Sequence, residues 1–299
     1  MSIINELKMQ YRIGGVVQRL IFWNVGLFVI PMILFSILKL SGVDITAFDW
    51  TDVYPGDWFC LSSSPTDLLW KPWSLIGYSF LHVGFFHLLF NMLMLYFAGG
   101  LFQTFFTQKQ LFGLYILSAI FAGLIFIAGY NLIPTLTGVW AGMVGASASV
   151  MAILVATAVY SPQYPVRLML IGTVKMWHIA IVFVVLDLIN ASVENTGGHL
   201  AHLAGALFGF AYIKLLQNGT DLSKIVTVVV DFFANLFTPR KKAPFKKVHR
   251  NPSPTQRTTT AKPKDITQKQ IDDILDKISK SGYDSLTKEE KDFLFKVGK

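Results

Sequence analysis

Six apolar runs limit what this chain can fold into. They cover residues 17–40, 84–106, 110–133, 145–160, 176–189 and 199–216. A helix needs roughly 20 residues to cross the hydrocarbon core of a bilayer, and most of these runs approach or exceed that length. The hydrocarbon core of a bilayer provides no hydrogen-bond partners for backbone N–H and C=O groups. Such segments therefore form helices, in which these groups bond to each other. With only 15% of residues charged, we predict an all-α polytopic membrane protein, a bundle of six transmembrane helices.

The basic residues predict the orientation of these helices. Lys and Arg lie before or at the start of the first run, between the second and third runs, between the fourth and fifth, and at the end of the sixth: Lys8, Arg12, Arg19, Lys109, Arg167, Lys175 and Lys214. The opposite side carries only Lys39 and Lys71. The positive-inside rule therefore places both termini in the cytoplasm, which agrees with six spans. Residues 41–78 are rich in Asp and Trp, and we expect them to form a re-entrant or interfacial first loop in the outer leaflet.

The rest of the chain divides by composition. We predict a cytoplasmic N-terminus at 1–16, the membrane domain at 17–218, an interfacial amphipathic helix at 219–238, a disordered basic linker at 239–265 and a small cytoplasmic helical hairpin at 266–299. Residues 239–264 of this linker hold nine Lys and Arg and no acidic residue. It could bind nucleic acid, but its place after membrane helices favours anionic lipid head groups, so we expect no nucleic-acid partner. The hairpin, with a capping box at Thr287 and Glu290, is either a docking module for an unknown partner or a tail without one.

Three polar clusters lie where a membrane protein usually avoids polar groups. The first joins His82, His87 and Asn91 at the start of the second run. The second, 142–149, opens the fourth run with Gly145, Ser147 and Ser149, and the third, 199–209, opens the sixth with His199, His202, Gly205 and Gly209. Even-numbered helices enter from the same, non-cytoplasmic side, so all three clusters are predicted at one depth beneath one leaflet.

These residue types suit nucleophilic catalysis. A serine becomes a good nucleophile when a neighbouring base takes its proton, and histidine suits that role. Gly145 and Gly205 would let Ser147 approach His202, while the Ser147 N–H, His87 and Asn91 could stabilise an oxyanion. The three clusters contain no acidic residue, so we expect a Ser–His dyad rather than a triad.

Each feature also has an ordinary structural interpretation. Serine in a transmembrane helix usually bonds back to a carbonyl one turn earlier, and glycine usually serves helix packing. Ser149 competes with Ser147, but lies about 200° away around a helix. Because all three clusters are predicted at one depth, we favour a catalytic role for them.

The clusters resemble the rhomboid family of intramembrane serine proteases of bacterial type. Gly145-Ala-Ser147-Ala is similar to the family's Gly-x-Ser-x nucleophile motif, and Ala201-His202-Leu-Ala-Gly205 to its Ala-His-x-x-Gly motif. His82, His87 and Asn91 match its His-x4-His-x3-Asn element. Where rhomboids often have Trp-Arg in the first loop, this chain has Trp73 followed by Ser74.

The resemblance implies a serine endopeptidase that cleaves transmembrane segments of other membrane proteins, which would enter beside the fifth helix. It makes Ser147 the nucleophile, His202 the base and His87 and Asn91 the oxyanion donors. His82 would help to hold the first loop, together with Trp73. The family uses no cofactor or metal, so we expect none. The localisation implied is the bacterial inner membrane, with the active site opening to the non-cytoplasmic side.

Two alternatives stay open. A catalytically silent rhomboid-like protein would bind client helices without cutting them, although the intact Ser147 and His202 argue against it. A transporter or metal-handling protein would use His82, His87, His199 and His202, but this set lacks His-Glu-x-x-His spacing and any carboxylate partner in the sequence.

Overall fold

The computed structural model describes residues 2–42, 58–169, 171–193, 195–237 and 266–297. The chain divides into two compact units, Met1–Arg240 and Lys241–Lys299, and each is described by itself. The predicted basic linker, 239–265, and residues 43–57 of the predicted first loop lie outside the described residues.

Helices dominate the first unit. In chain order they are α1 (Ile3–Ile13), α2 (Val16–Leu40), α3 (Pro65–Trp70), α4 (Ser74–Gly77), α5 (Phe85–Gln103), α6 (Gln108–Leu132), α7 (Ser147–Tyr160), α8 (Met176–Asn190), α9 (Thr196–Gln217) and α10 (Ser223–Phe237). Of the described helices, α2, α5, α6 and α9 are long and apolar enough to cross a membrane, whereas α7 and α8 are shorter apolar helices. The six predicted apolar runs correspond to these six helices, with ends shifted by a few residues. The N-terminal helix α1 was not predicted.

Helix α7 lies at the centre of the bundle. Every residue from Ala148 to Ala158 is buried, so the helix has no face left for lipid. Its small side chains let α9 approach closely, because Gly205 and Gly209 each lie against a backbone carbonyl of α7. An added Cβ at either glycine would overlap that carbonyl, which is the close helix contact that small residues allow in membranes.

Two short antiparallel sheets, which the sequence analysis did not predict, join the helices. In the first, β1 (Leu61–Ser62) pairs with β2 (Gly142–Met143). The next residue, Ser63, exchanges bonds with Ala141: its N–H donates to the Ala141 carbonyl at 2.8 Å, and its hydroxyl accepts the Ala141 N–H at 3.0 Å. This sheet anchors the segment that leads into α7. The second sheet, β3 (Pro165–Leu168) with β4 (Gly172–Lys175), connects α7 to α8.

Helix α10 occupies most of the segment predicted to be an interfacial helix. Asp221 fixes its start by accepting bonds from the Ser223 N–H at 2.9 Å and the Ser223 hydroxyl at 2.6 Å. Burial alone would raise the pKa of the Asp221 carboxyl, but the bonds from Ser223 and Gln110 bring that pKa below its usual value. Ser223 packs against Gly113 of α6. The opposite face of α10 exposes apolar side chains, among them Val228 and Phe232.

The second unit is a helical hairpin formed by α11 (Ile266–Ser281) and α12 (Lys288–Val297). The structure shows the capping box at the start of α12: the Thr287 N–H donates to Glu290 at 2.8 Å, and the Glu290 N–H to the Thr287 hydroxyl at 3.3 Å. Lys277 of α11 bonds the same Glu290 carboxylate at 2.9 Å. The hydrogen bond from Lys277 is the largest of the effects that lower the pKa of Glu290.

Candidate active site

Ser147 and His202 meet where α7 and α9 come closest. Ser147 is the first residue of α7 and His202 lies in the second turn of α9. The distance from Ser147 Oγ to His202 Nε2 is 2.6 Å, a short hydrogen bond. Gly205 makes this approach possible, because it lies one turn beyond His202 and rests on the carbonyl of Ala148.

A third side chain, Asp187, completes a chain of hydrogen bonds. Its Oδ1 atom lies 2.8 Å from His202 Nδ1 and 2.7 Å from His199 Nδ1. Contrary to expectation, the predicted Ser–His pair therefore has an acidic side chain beside it; the dyad itself stays a prediction. None of the three polar clusters holds an acid, whereas Asp187 comes from the last turn of α8. A lone acid in an otherwise apolar run was the signal that could have found it.

Asp187, His199 and His202 also form a possible metal-binding group. One atom each from Asp187, His199 and His202 lies within 4.8 Å of the others, the only such group among the described residues. The histidines of the metal-handling alternative thus have a carboxylate partner after all, which spacing along the sequence did not reveal. His82 and His87 do not belong to this group.

The segment before α7 is held in an unusual conformation. Gly145 has φ +133°, a value that side chains strongly disfavour. Its N–H donates to the Tyr78 carbonyl at 2.9 Å, and the Tyr78 hydroxyl donates to the Ala119 carbonyl at 2.8 Å. A Cβ at Gly145 would lie 3.0 Å from His87 Nε2 and 3.5 Å from Ser147 Oγ. The His87 ring therefore lies directly beside the turn that presents Ser147.

The other members of the first cluster surround His87. The Asn91 side-chain amide donates to the His87 carbonyl at 2.9 Å, a bond within its own helix. Asn91 nevertheless lines a cavity together with Ser147. His82 is fully buried, and its ring packs edge-to-face on His87 with centroids 5.1 Å apart.

Trp73 and Ser74 stabilise the described part of the first loop. The Trp73 indole N–H donates to the Trp58 carbonyl at 2.7 Å, and the two indoles stack with centroids 6.0 Å apart. The hydroxyl of Ser74, at the position where rhomboids often have arginine, donates to the Lys71 carbonyl at 2.7 Å.

Ser149 faces away from His202. Its hydroxyl is buried and donates to the Tyr115 carbonyl of α6 at 2.8 Å. Of the two serines that open α7, only Ser147 reaches the imidazole.

Two cavities meet at Ser147. One, of about 440 Å³, is lined by Tyr78, His87, Gly145, Ser147, Asn195 and His202. The other, of about 320 Å³, lies between α5 and α8. Its polar lining includes Ser147, His202 and Asp187, and the apolar side chains that line it include Phe90, Met94, Val150, Met151, Phe183 and Leu186. The serine is therefore accessible from two sides.

These features define a multi-pass helical membrane protein with a serine and a histidine in hydrogen-bond contact at the end of a buried helix. The chain belongs to the rhomboid family: the model of the rhomboid domain matches residues 69–218, which is half of the chain. A second model, a family of unknown function (DUF6576), matches residues 260–296 and so covers the C-terminal hairpin. No curated protein matches the chain.

Proposed function

We propose that this protein is an intramembrane serine protease that cleaves transmembrane segments of other membrane proteins. The observation that carries the proposal is the 2.6 Å contact between Ser147 Oγ and His202 Nε2 at the junction of two cavities. Membership of the rhomboid family supports the same activity.

The reaction would proceed by acyl transfer. Ser147 Oγ attacks the carbonyl carbon of the scissile peptide while His202 Nε2 takes the hydroxyl proton. His202 then gives that proton to the leaving amine as the C–N bond breaks, leaving an acyl-enzyme on Ser147. A water molecule, deprotonated by the same imidazole, attacks the ester carbonyl; the C–Oγ bond breaks, His202 returns the proton to Ser147 Oγ and the new carboxyl terminus is released. No cofactor or metal is required by these steps.

The oxyanion would be stabilised at the start of α7. The N–H groups in the first turn of a helix have no partner within the helix, and Ala146 at the N-cap has no polar side chain to cap them. The Ser147 N–H is therefore a natural donor to a tetrahedral oxyanion, and the helix dipole favours the negative charge. His87, beside Gly145, is the best placed side-chain donor, and Asn91 is a second.

The substrate would approach through the apolar cavity between α5 and α8. An unwound transmembrane segment could place its apolar side chains against Phe90 and Leu186 while its carbonyl reaches Ser147. We further propose that α2 and α5–α9 are six spans, that the first loop is re-entrant or interfacial and that both termini are cytoplasmic. The active site would then open to the non-cytoplasmic side of a bacterial inner membrane.

Cleavage of a membrane substrate tests this function directly. A tagged single-span membrane protein, co-expressed with the wild type, should be cut, and Ser147→Ala should leave it intact because the nucleophile is lost. Ser149→Ala is a matched control, since it removes a hydroxyl from the same helix that faces Tyr115 instead of His202. Immunoblots of the fragments report the result. Undiminished cutting by Ser147→Ala would refute the proposed function.

The oxyanion donors predict a graded loss of activity. Removing one such donor typically lowers kcat by about 10²–10³-fold, and we expect a loss of that size for His87→Ala. Asn91→Ala should lose less, because its amide already donates to the His87 carbonyl. Both are measured as kcat on purified protein in detergent. If neither variant loses activity, these side chains do not stabilise the oxyanion, although the Ser147 N–H still could.

A further inference from the structure

Asp187 lies on the opposite side of the His202 ring from Ser147. The carboxylate bonds Nδ1 at 2.8 Å and the serine hydroxyl bonds Nε2 at 2.6 Å, so the imidazole bridges the two. We propose that Asp187 is a positioning residue for the general base, so that the site works as a Ser–His–Asp triad. This inference rests on the proposed protease function and goes beyond it by adding a residue on α8.

The hydrogen-bond pattern determines where the imidazole carries its proton. An ionised carboxylate only accepts hydrogen bonds, so His202 Nδ1 must be the protonated nitrogen when it bonds Asp187. Nε2 then carries no proton and accepts a hydrogen bond from the Ser147 hydroxyl. This is the tautomer that a general base needs before the attack. After proton transfer, the same carboxylate stabilises the imidazolium.

Burial indicates that Asp187 is held for this contact. Only three residues of α8 are buried, Met176, Ala180 and Asp187, and they lie along one narrow stripe of the helix. The remainder of the helix exposes apolar side chains such as Ile181 and Leu188. An acid is costly on such a helix unless it is paired, and Asp187 is paired with two imidazoles.

His199 fixes the carboxylate on its second side. Its Nδ1 lies 2.7 Å from the same Oδ1 atom that bonds His202. Two N–H donors on one oxygen favour the ionised acid and limit rotation of its side chain. Because α8 also borders the apolar cavity beside Ser147, the orientation of the base depends on the position of the helix along which a substrate would pass.

The isosteric variant Asp187→Asn tests the triad with little change in packing. We expect kcat to fall about 10²- to 10⁴-fold with KM unchanged, the pattern for a carboxylate that acts through the base in serine proteases. In protein labelled with ¹⁵N at histidine, the resonances of His202, assigned by their loss in His202→Gln, should show Nδ1 protonated in the wild type. In Asp187→Asn they should shift to a mixture of tautomers. A merely structural role would leave the tautomer unchanged.

Three comparisons keep the outcomes distinct. Asp231→Asn removes an exposed acid of α10 and should leave kcat unchanged. Wild-type kcat in Asp187→Asn, with Ser147→Ala inactive, would overturn the triad alone, whereas an active Ser147→Ala would overturn the protease itself. A lower kcat in Asp187→Asn, together with a lower Tm and an unchanged tautomer of His202, would also overturn the triad. Stoichiometric zinc that is present in the purified wild type and absent from Asp187→Asn would show that Asp187 belongs to a metal site instead of a triad.

Discussion

His202→Ala is expected to lower kcat for peptide cleavage by a factor on the order of 10⁴ to 10⁶, and adding Ser147→Ala should lower it hardly further. The reason is the 2.6 Å contact between Ser147 Oγ and His202 Nε2. A serine without its base is a weak nucleophile, and a base without its serine has no proton to take. Groups that act as one unit lose their effect together, so the two losses should not add.

The double-mutant cycle needs three variants, His202→Ala, Ser147→Ala and both together, with cleavage followed in detergent on one single-span substrate. A fluorophosphonate probe should label Ser147 in the wild type and fail to label it in His202→Ala, because labelling needs the activated hydroxyl. Additive losses in the cycle, or normal labelling without His202, would show that the two residues act independently despite their contact.

The contact between Ser147 and His202 could be predicted because its determinants are local. Each residue opens an apolar run beside a glycine, and helices that enter from one side place their first turns at one depth. The spacing of His87 and Asn91 likewise predicted a shared helix face. It could not predict that the Asn91 amide would bond back to the His87 carbonyl, since that bond competes with any contact across the site.

The position of Asp187 could not be inferred in the same way. Asp187 lies in the last turn of α8, whereas His202 lies near the start of α9, so their contact depends on the turn between these two helices and on the angle at which they cross. The pairing of β1 with β2 could not be predicted for a related reason. Two residues on each strand give no detectable alternation, and their pairing joins segments about 80 residues apart.

Gly205→Ala is expected to lose most of the activity although it adds only one methyl group. The new Cβ would overlap the carbonyl oxygen and carbon of Ala148. That obstacle is backbone within a buried helix, so it cannot rotate away as a flexible side chain would. The two helices must move apart, and overpacking of this kind typically costs about 1–3 kcal/mol of stability.

The separation acts directly on the candidate site, because Ala148 follows Ser147 and Gly205 lies one turn from His202. A misplacement of about 1 Å between reacting groups can cost about 10²-fold in rate, and we expect at least that loss in kcat. Gly100→Ala is the matched control: it adds the same methyl group to a helical glycine with nothing within 4 Å. Activity and Tm, measured on both purified variants, should fall for Gly205→Ala and stay near wild type for Gly100→Ala. Full activity in Gly205→Ala would mean that the contact between α7 and α9 does not set the distance between serine and histidine.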